Sequence, residues 1–206
     1  MHRFWLLTIL LAGLLPADAW AGKYNPQLSI GEVAPDWKDL KGVDGKTHSL
    51  ADLKDKQCVV IVFTCNTCPY SQDYEGRLIA LAQAFSVNGK CALVAINSNK
   101  VKGDQLPDMQ ERAEAKGFNF PYLHDDTQQV ARSFGANYTP EFVVLDKDRK
   151  VVYLGAMDDN ADPAKVQKKY VEVAVASTLA GKSPEILETP AVGCAVRYER
   201  TRRSKR

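Results

Sequence analysis

Two cysteines separated by two residues, Cys65-Asn66-Thr67-Cys68, are the residues here best suited to chemistry. The seven residues before them, Cys58 to Thr64, form an unbroken β-branched and aromatic run. Such a run suits a strand buried on both faces, as in a parallel sheet. Pro69 follows and fits the first turn of a helix. A thiolate at a helix N-terminus meets unpaired N–H groups and the positive end of the macrodipole, so its pKa falls. Cys65 is expected to be the exposed thiol that attacks a disulfide. Cys68, one turn deeper, is placed to resolve the mixed disulfide.

A Cys-x-x-Cys has two other uses. Structural zinc wants four ligands, usually from a second Cys or His pair. The remaining cysteines (Cys58, Cys91, Cys194) are single and the histidines (His2, His48, His124) are scattered, so no metal is expected. A purely structural bridge would close too short a loop to gain much stability. Dithiol redox chemistry, which needs no cofactor, is the preferred reading.

The elements that must hold these thiols follow from periodicity. A hairpin is expected around Val43-Asp44-Gly45, followed by a short turn capped by Ser49. After the strand at residues 58–64, Leu78, Leu81, Ala82 and Phe85 recur at helical spacing from Tyr70 to Ser86, and Asn88-Gly89 ends that helix. Cys91 to Asn97 reads as a second buried strand. Asp104 is positioned to cap a helix that Gly117 stops. A short extended piece at Phe120 to Leu123 and a helix from Asp126 to Phe134 come next. A second hairpin joins Glu141–Asp146 to Lys150–Leu154, and a last helix runs from Pro163 to Leu179. Strands alternating with helices predict an α/β sandwich around a central mixed sheet, with the first hairpin as an N-terminal extension.

The chain has 206 residues, 45% of them hydrophobic, enough for one domain with a real core. The net charge is only +2, but residues 197–206 hold six positive side chains and one negative. That tail is read as a solvated end, with weak contact to an anionic surface as the alternative. It lacks interleaved aromatics, so no nucleic acid is expected as a partner. At the other end, His2 and Arg3 precede an apolar stretch from Phe4 to Leu15, then Pro16 and two small-x-small sites. This reads as a secretory signal peptide cut after Ala21, with an uncleaved anchor as the alternative. No cysteine near the cut invites lipid attachment. The protein is expected in an oxidising compartment, the periplasm if the source is a bacterium. The organisation is then a signal peptide at 1–21, a leader at 22–30, the domain at 31–183 and a C-terminal extension at 184–206.

The strand–Cys-x-x-Cys–helix, with Tyr138-Thr139-Pro140-Glu141 some seventy residues later, resembles the thioredoxin-like superfamily. Ala34-Pro35-Asp36-Trp37, Asp44-Gly45-Lys46 and the turn from Leu50 to Leu53 resemble the branch that holds the AhpC/TSA peroxiredoxins and the secreted TlpA-like and ResA-like oxidoreductases. Phe63 to Pro69, Ala95 to Asn99 and Val192 to Val196 look closer still to a peroxiredoxin-like subgroup. The resemblance spans residues 31–196. It implies a thioredoxin-like fold and thiol–disulfide oxidoreductase activity on protein or small-thiol substrates. Protein dithiols and disulfides, or a membrane redox donor, would be the partners. It also implies a cis bond before Pro140, leaving the backbone of Thr139 free to hold an incoming peptide.

The departures bear on mechanism. Thioredoxins carry an acidic residue six positions before the first cysteine, where this chain has Val59. Glu75 and Glu141 are the alternative proton acceptors, although both read more readily as surface charges. The dipeptide Asn66-Thr67 leaves the redox direction open. Peroxiredoxins need a Thr three residues before the peroxidatic cysteine and a Pro four before that. Counting back gives Val62 and Cys58 from Cys65, and Cys65 and Ile61 from Cys68. Thiol peroxidase activity is therefore the runner-up. A Sco-type copper chaperone is third, because its cysteines are spaced by three residues and only His124 could serve as the later ligand.

Cys58 and Cys91 open strands that the resembled fold makes parallel neighbours, with Cα atoms about 5 Å apart and within disulfide range. Two buried thiols are preferred over a Cys58–Cys91 bridge. Cys194 is read as an end-of-domain thiol, with a third redox cysteine as the alternative.

Overall fold

The structure, a computed structural model, describes residues 22–199. The expected signal peptide at 1–21 and most of the basic tail lie outside the described residues.

The strands are β1 (Leu40–Gly42), β2 (Thr47–His48), β3 (Cys58–Phe63), β4 (Cys91–Asn97), β5 (Tyr122–His124), β6 (Tyr138–Thr139), β7 (Glu141–Leu145), β8 (Val151–Gly155) and β9 (Cys194–Ala195). The helices are α1 (Pro69–Asn88), α2 (Leu106–Lys116), α3 (Gln129–Ser133) and α4 (Tyr170–Leu179). One mixed sheet runs β2-β1-β5-β4-β3-β7-β8. Strand β3 lies parallel to β4 and antiparallel to β7. A mixed sheet flanked by helices, entered through an N-terminal hairpin, is the architecture the sequence predicts.

The unbroken apolar run of β3 has its reason in this order. Every residue from Cys58 to Phe63 is buried, because both sheet faces are covered. Val60 and Val62 pack into a core with Tyr74, Leu78 and Phe85 of α1. Val59, Ile61 and Phe63 pack on the other face with Trp37, Leu40 and Phe134. Each such side chain is worth about 1.5–3 kcal/mol on burial. The strand that delivers the cysteines is thus the most firmly seated part of the sheet.

Helix boundaries departed from the sequence reading in three places. Asp104 does not cap α2; Gln105 does, its backbone N–H donating to Asp108 Oδ2 at 3.2 Å. Helix α3 is one short turn, because Gln128 sits in the left-handed region at φ 61° and delays its start. Pro163 opens only a 3-10 turn, Pro163–Lys165. The backbone N–H groups of Gln167 and Lys168 then donate to Asp159 Oδ1 at 2.9 and 3.0 Å, which holds the chain extended until α4.

After α4 the chain stays on the domain. Leu187 and Thr189 exchange backbone hydrogen bonds with Leu154 of β8. The chain then crosses to β9, which pairs antiparallel with β6.

Candidate active site

Strand β3 ends at Phe63, Thr64 N–H still donates to Ile96 O at 2.9 Å, and the chain turns through Cys65 to Cys68 into α1. Cys68 is the N-cap and Pro69 occupies the first turn. The turn is built around Asp104, which is fully buried. Its carboxylate accepts from Asn66 N–H at 2.7 Å, Thr67 N–H at 3.2 Å and the Thr67 hydroxyl at 2.6 Å. The side-chain amides of Asn97 and Asn99 donate to it as well. Asn66 is further fixed by Tyr122 Oη, which donates to its Oδ1 at 2.9 Å, and by Gln72, which donates to its carbonyl at 2.7 Å. A buried carboxylate with this many donors is a strong local organiser.

Asp104 is the main functional residue that sequence reading missed, since its spacing before a helix suggested a cap. The signal available was the polar run Asn97-Ser98-Asn99 at the end of a buried strand. Replacing Asp104 with Ala leaves several buried donors unpaired. The variant is expected to lose about 3 kcal/mol of stability. Its melting temperature, followed by circular dichroism, should fall by about 6–12 °C.

The two thiols converge on Thr139. Cys65 Sγ lies 3.5 Å from Thr139 Oγ1, and Cys68 Sγ donates to Thr139 O at 3.1 Å. The Thr139–Pro140 bond is cis, as the resemblance implied. Two expectations are corrected here. Cys65 is not exposed; it is 4% accessible and Cys68 is 2% accessible. The edge at Thr139 is not free either, because β9 occupies it, with Thr139 opposite Cys194 and Tyr138 opposite Ala195. The covered edge has its cause in the C-terminal segment, which lies across Thr139.

Cys65 and Cys68 compete for one proton. A hydrogen bond from Cys65, helped by Cys194 and the Ser71 N–H, pulls Cys68 down to about 4 against the cost of burial. The same pairing, with burial, pushes Cys65 up. The Thr139 carbonyl works against the charge on Cys68, because it accepts from the thiol and repels the thiolate. The lowered ionisation therefore belongs to the pair.

Glu75 and Glu141 are not surface charges, a third correction. Glu141 is 6% exposed and accepts from Asn137 N–H at 2.8 Å and Tyr138 N–H at 2.9 Å. Burial pushes its carboxyl up. Its work is to hold the bend that presents Thr139. Glu75, also buried, pairs with Arg112. It shares with Cys65 the lining of a cavity of about 10 Å³, closed by Phe120 and Tyr122. That is room for roughly one water. Glu75 is thus the carboxylate-bearing residue that shares a cavity with Cys65.

The remaining cysteines fall into two groups. Cys58 and Cys91 are register partners at the far end of β3 and β4, and all five cysteines are thiols in the structure. A shared hydrogen bond lowers Cys91 and, with burial, raises Cys58. Cys194 lies at the site, half-buried and hydrogen-bonded to Cys68. His124 ends β5, its Nε2 is buried without a partner, and burial lowers its pKa. Among the described residues no group of three or more His, Cys, Asp or Glu side chains is arranged to hold a metal. A surface cleft of about 650 Å³, lined by Ile30, Gln57, Asp146 and Lys182, sits at the opposite end of β3 from Cys65.

The AhpC/TSA family model matches residues 30–154, which includes the Cys-x-x-Cys turn, Thr139 and Pro140. The chain belongs to the AhpC/TSA family. Among solved structures, this family member is similar to an uncharacterized conserved protein from Geobacillus kaustophilus. The two share 32% identity at a TM-score of 0.79, covering 86% of this chain and 96% of that one. It is also similar to peroxidoxin BcpB from Mycobacterium tuberculosis, at 22% identity and TM-score 0.59, covering 76% and 99%. A third likeness is to the thioredoxin domain of a thiol-disulfide oxidoreductase from Bacteroides vulgatus. There the identity is 21% and the TM-score 0.53, covering 62% and 88%. These last two likenesses bear on fold, which is thioredoxin-like. No curated protein sequence matches the chain. The family is one of oxidoreductases and thiol peroxidases.

Proposed function

We propose that this AhpC/TSA protein is a thiol–disulfide oxidoreductase working by dithiol exchange outside the cytoplasm. The observation that carries the reading is the convergence of Cys65 and Cys68 on Thr139, beside the cis Pro140, at the junction of β3 and α1. Cys65 thiolate attacks a substrate disulfide, forms a mixed disulfide and releases one substrate thiolate. Cys68 then attacks Cys65 Sγ, closes the Cys65–Cys68 disulfide and releases the second. Thr139 presents the substrate backbone once β9 lifts from its edge. The substrates are protein or small-thiol disulfides, and a dithiol protein or membrane donor restores the reduced form.

Peroxide reduction at Cys65 has one observation in its favour. The Thr139 hydroxyl, 3.5 Å from Cys65 Sγ, offers a donor from a different part of the chain than the family's usual threonine. Against it, Val62 and Cys58, which stand at the positions of that threonine and proline, are core residues. Stopped-flow thiol loss decides between the two. The fully reduced protein is mixed with stoichiometric hydrogen peroxide, and separately with oxidised glutathione. Exchange predicts a peroxide rate no faster than an ordinary thiolate and a faster disulfide reaction. A peroxide rate orders of magnitude higher would replace this reading with thiol peroxidase.

A further inference from the structure

The edge that would receive a peptide already carries a strand, and that strand presents a cysteine. Residues 192–199 are held on a prepared track. Val196 N–H donates to Asn137 O at 2.9 Å and Arg197 N–H to Asn99 Oδ1 at 2.8 Å. Gln128, only 2% exposed, donates to Arg197 O at 3.0 Å and accepts from Glu199 N–H at 2.8 Å. Tyr198 donates to Ala136 O and lies under the Arg132 guanidinium, 4.3 Å from its ring centre. Asn99 also donates to Asp104, so the strand and the cysteine turn share one hydrogen-bonded frame. Upstream, Gly193 passes so close to Thr139 that a Cβ there would sit 2.1 Å from its carbonyl oxygen. This segment occupies the place of a substrate peptide.

We propose that Cys194 is a third redox cysteine, exchanging with the Cys65–Cys68 disulfide at Cys68. Its position fits that step. Cys194 is the register partner of Thr139, the residue both other thiols contact. Cys68 donates to Thr139 O, and its ionisation is tied to both Cys65 and Cys194. Three thiols gathered at one residue supply the attacking, central and leaving sulfurs that thiol–disulfide exchange requires. Cys194 thiolate attacks Cys68 Sγ, the Cys68–Cys194 bond forms, the Cys65–Cys68 bond breaks, and Cys65 leaves as thiolate. No external oxidant is consumed. The product keeps its oxidation state, ties the C-terminal strand across the site and frees Cys65. The oxidised protein thus divides between a Cys65–Cys68 form and a self-closed Cys68–Cys194 form.

The inference rests on the exchange reading of Cys65 and Cys68, and the test separates the two. The protein is oxidised with diamide, quenched in acid, alkylated with N-ethylmaleimide and digested with chymotrypsin. Cleavage after Phe63 and Tyr70 separates Cys65 and Cys68 from Cys58, and mass spectrometry then maps the linked peptides. The wild type should yield both Cys65–Cys68 and Cys68–Cys194. Cys65→Ser should yield Cys68–Cys194 nearly completely, and Cys68→Ser should leave Cys194 alkylated. A Cys65–Cys68 bridge with Cys194 fully alkylated in both wild type and Cys65→Ser would overturn this proposal alone. A Cys65–Cys194 bridge in Cys68→Ser would overturn the site of attack. Cys68–Cys194 without any Cys65–Cys68 in the wild type would overturn the exchange reading alone. Neither bridge would overturn both.

Discussion

Replacing Cys65 with Ser is expected to lower disulfide reduction by about a thousandfold or more, measured as the turbidity of precipitating insulin chains. The step requires a thiolate that can enter and leave a disulfide, and a serine hydroxyl does neither at neutral pH. The change is nearly isosteric, so the fold should survive. Replacing Cys68 with Ser should act differently. Cys65 can still attack, but nothing resolves the product, so a mixed disulfide accumulates and appears as a gain in intact mass. The pattern of donors makes the comparison decisive, because Cys68 receives hydrogen bonds from Cys65, Cys194 and the Ser71 N–H and is pulled down to about 4. If Cys68→Ser abolishes turnover while Cys65→Ser traps the mixed disulfide, Cys68 is the attacking sulfur and the assigned roles are reversed.

What could be read from the sequence was what neighbouring residues decide. The strand at 58–63 declared itself because both faces must be apolar. The Asp146 to Arg149 turn did so because Asp146 caps its own loop, accepting from Asp148 and Lys150 N–H. Gly89 and Gly117 stopped their helices in the left-handed region, at φ 65° and 68°. The cis Pro140 was reached through resemblance to a family. What could not be read depended on residues far apart in the chain. Asp104 looks like a helix cap until Asn66 and Thr67, more than thirty residues earlier, fold onto it. Glu75 and Glu141 look like surface charges until Arg112 and the backbone at Asn137 and Tyr138 enclose them. The exposure of Cys65 is what the Cys-x-x-Cys motif alone suggests, and the Thr139 edge beside it is covered by a segment that begins about 125 residues later. Gly193 was the one local sign of that segment. A glycine between Val192 and Cys194 marks a close backbone approach, but it does not name the backbone approached.

That glycine supports the second large effect. Gly193→Val is expected to raise the alkylation rate of Cys65 in the reduced protein by about 30- to 100-fold. The added Cβ would sit 2.1 Å from Thr139 O, 2.7 Å from Thr139 C and 3.2 Å from Pro140 N. These are backbone atoms at a bend that Glu141 pins from below, so they have little room to yield. The strand must lift instead, and the β6–β9 pairing goes with it. Losing two or three hydrogen bonds worth about 1 kcal/mol each removes about 2–3 kcal/mol from closure. At 1.4 kcal/mol per tenfold, that converts to the stated gain. The anchor at Gln128 lies four residues further on and stays in place, so melting should change by only a few degrees. Iodoacetamide kinetics with peptide mapping would read the rate at Cys65 directly. Gly193→Ala carries the same Cβ and should show most of the effect. If both variants alkylate Cys65 at the wild-type rate, the C-terminal strand is not what covers the thiols. The low accessibility of Cys65 would then have to come from the cysteine turn itself, locked by Asp104.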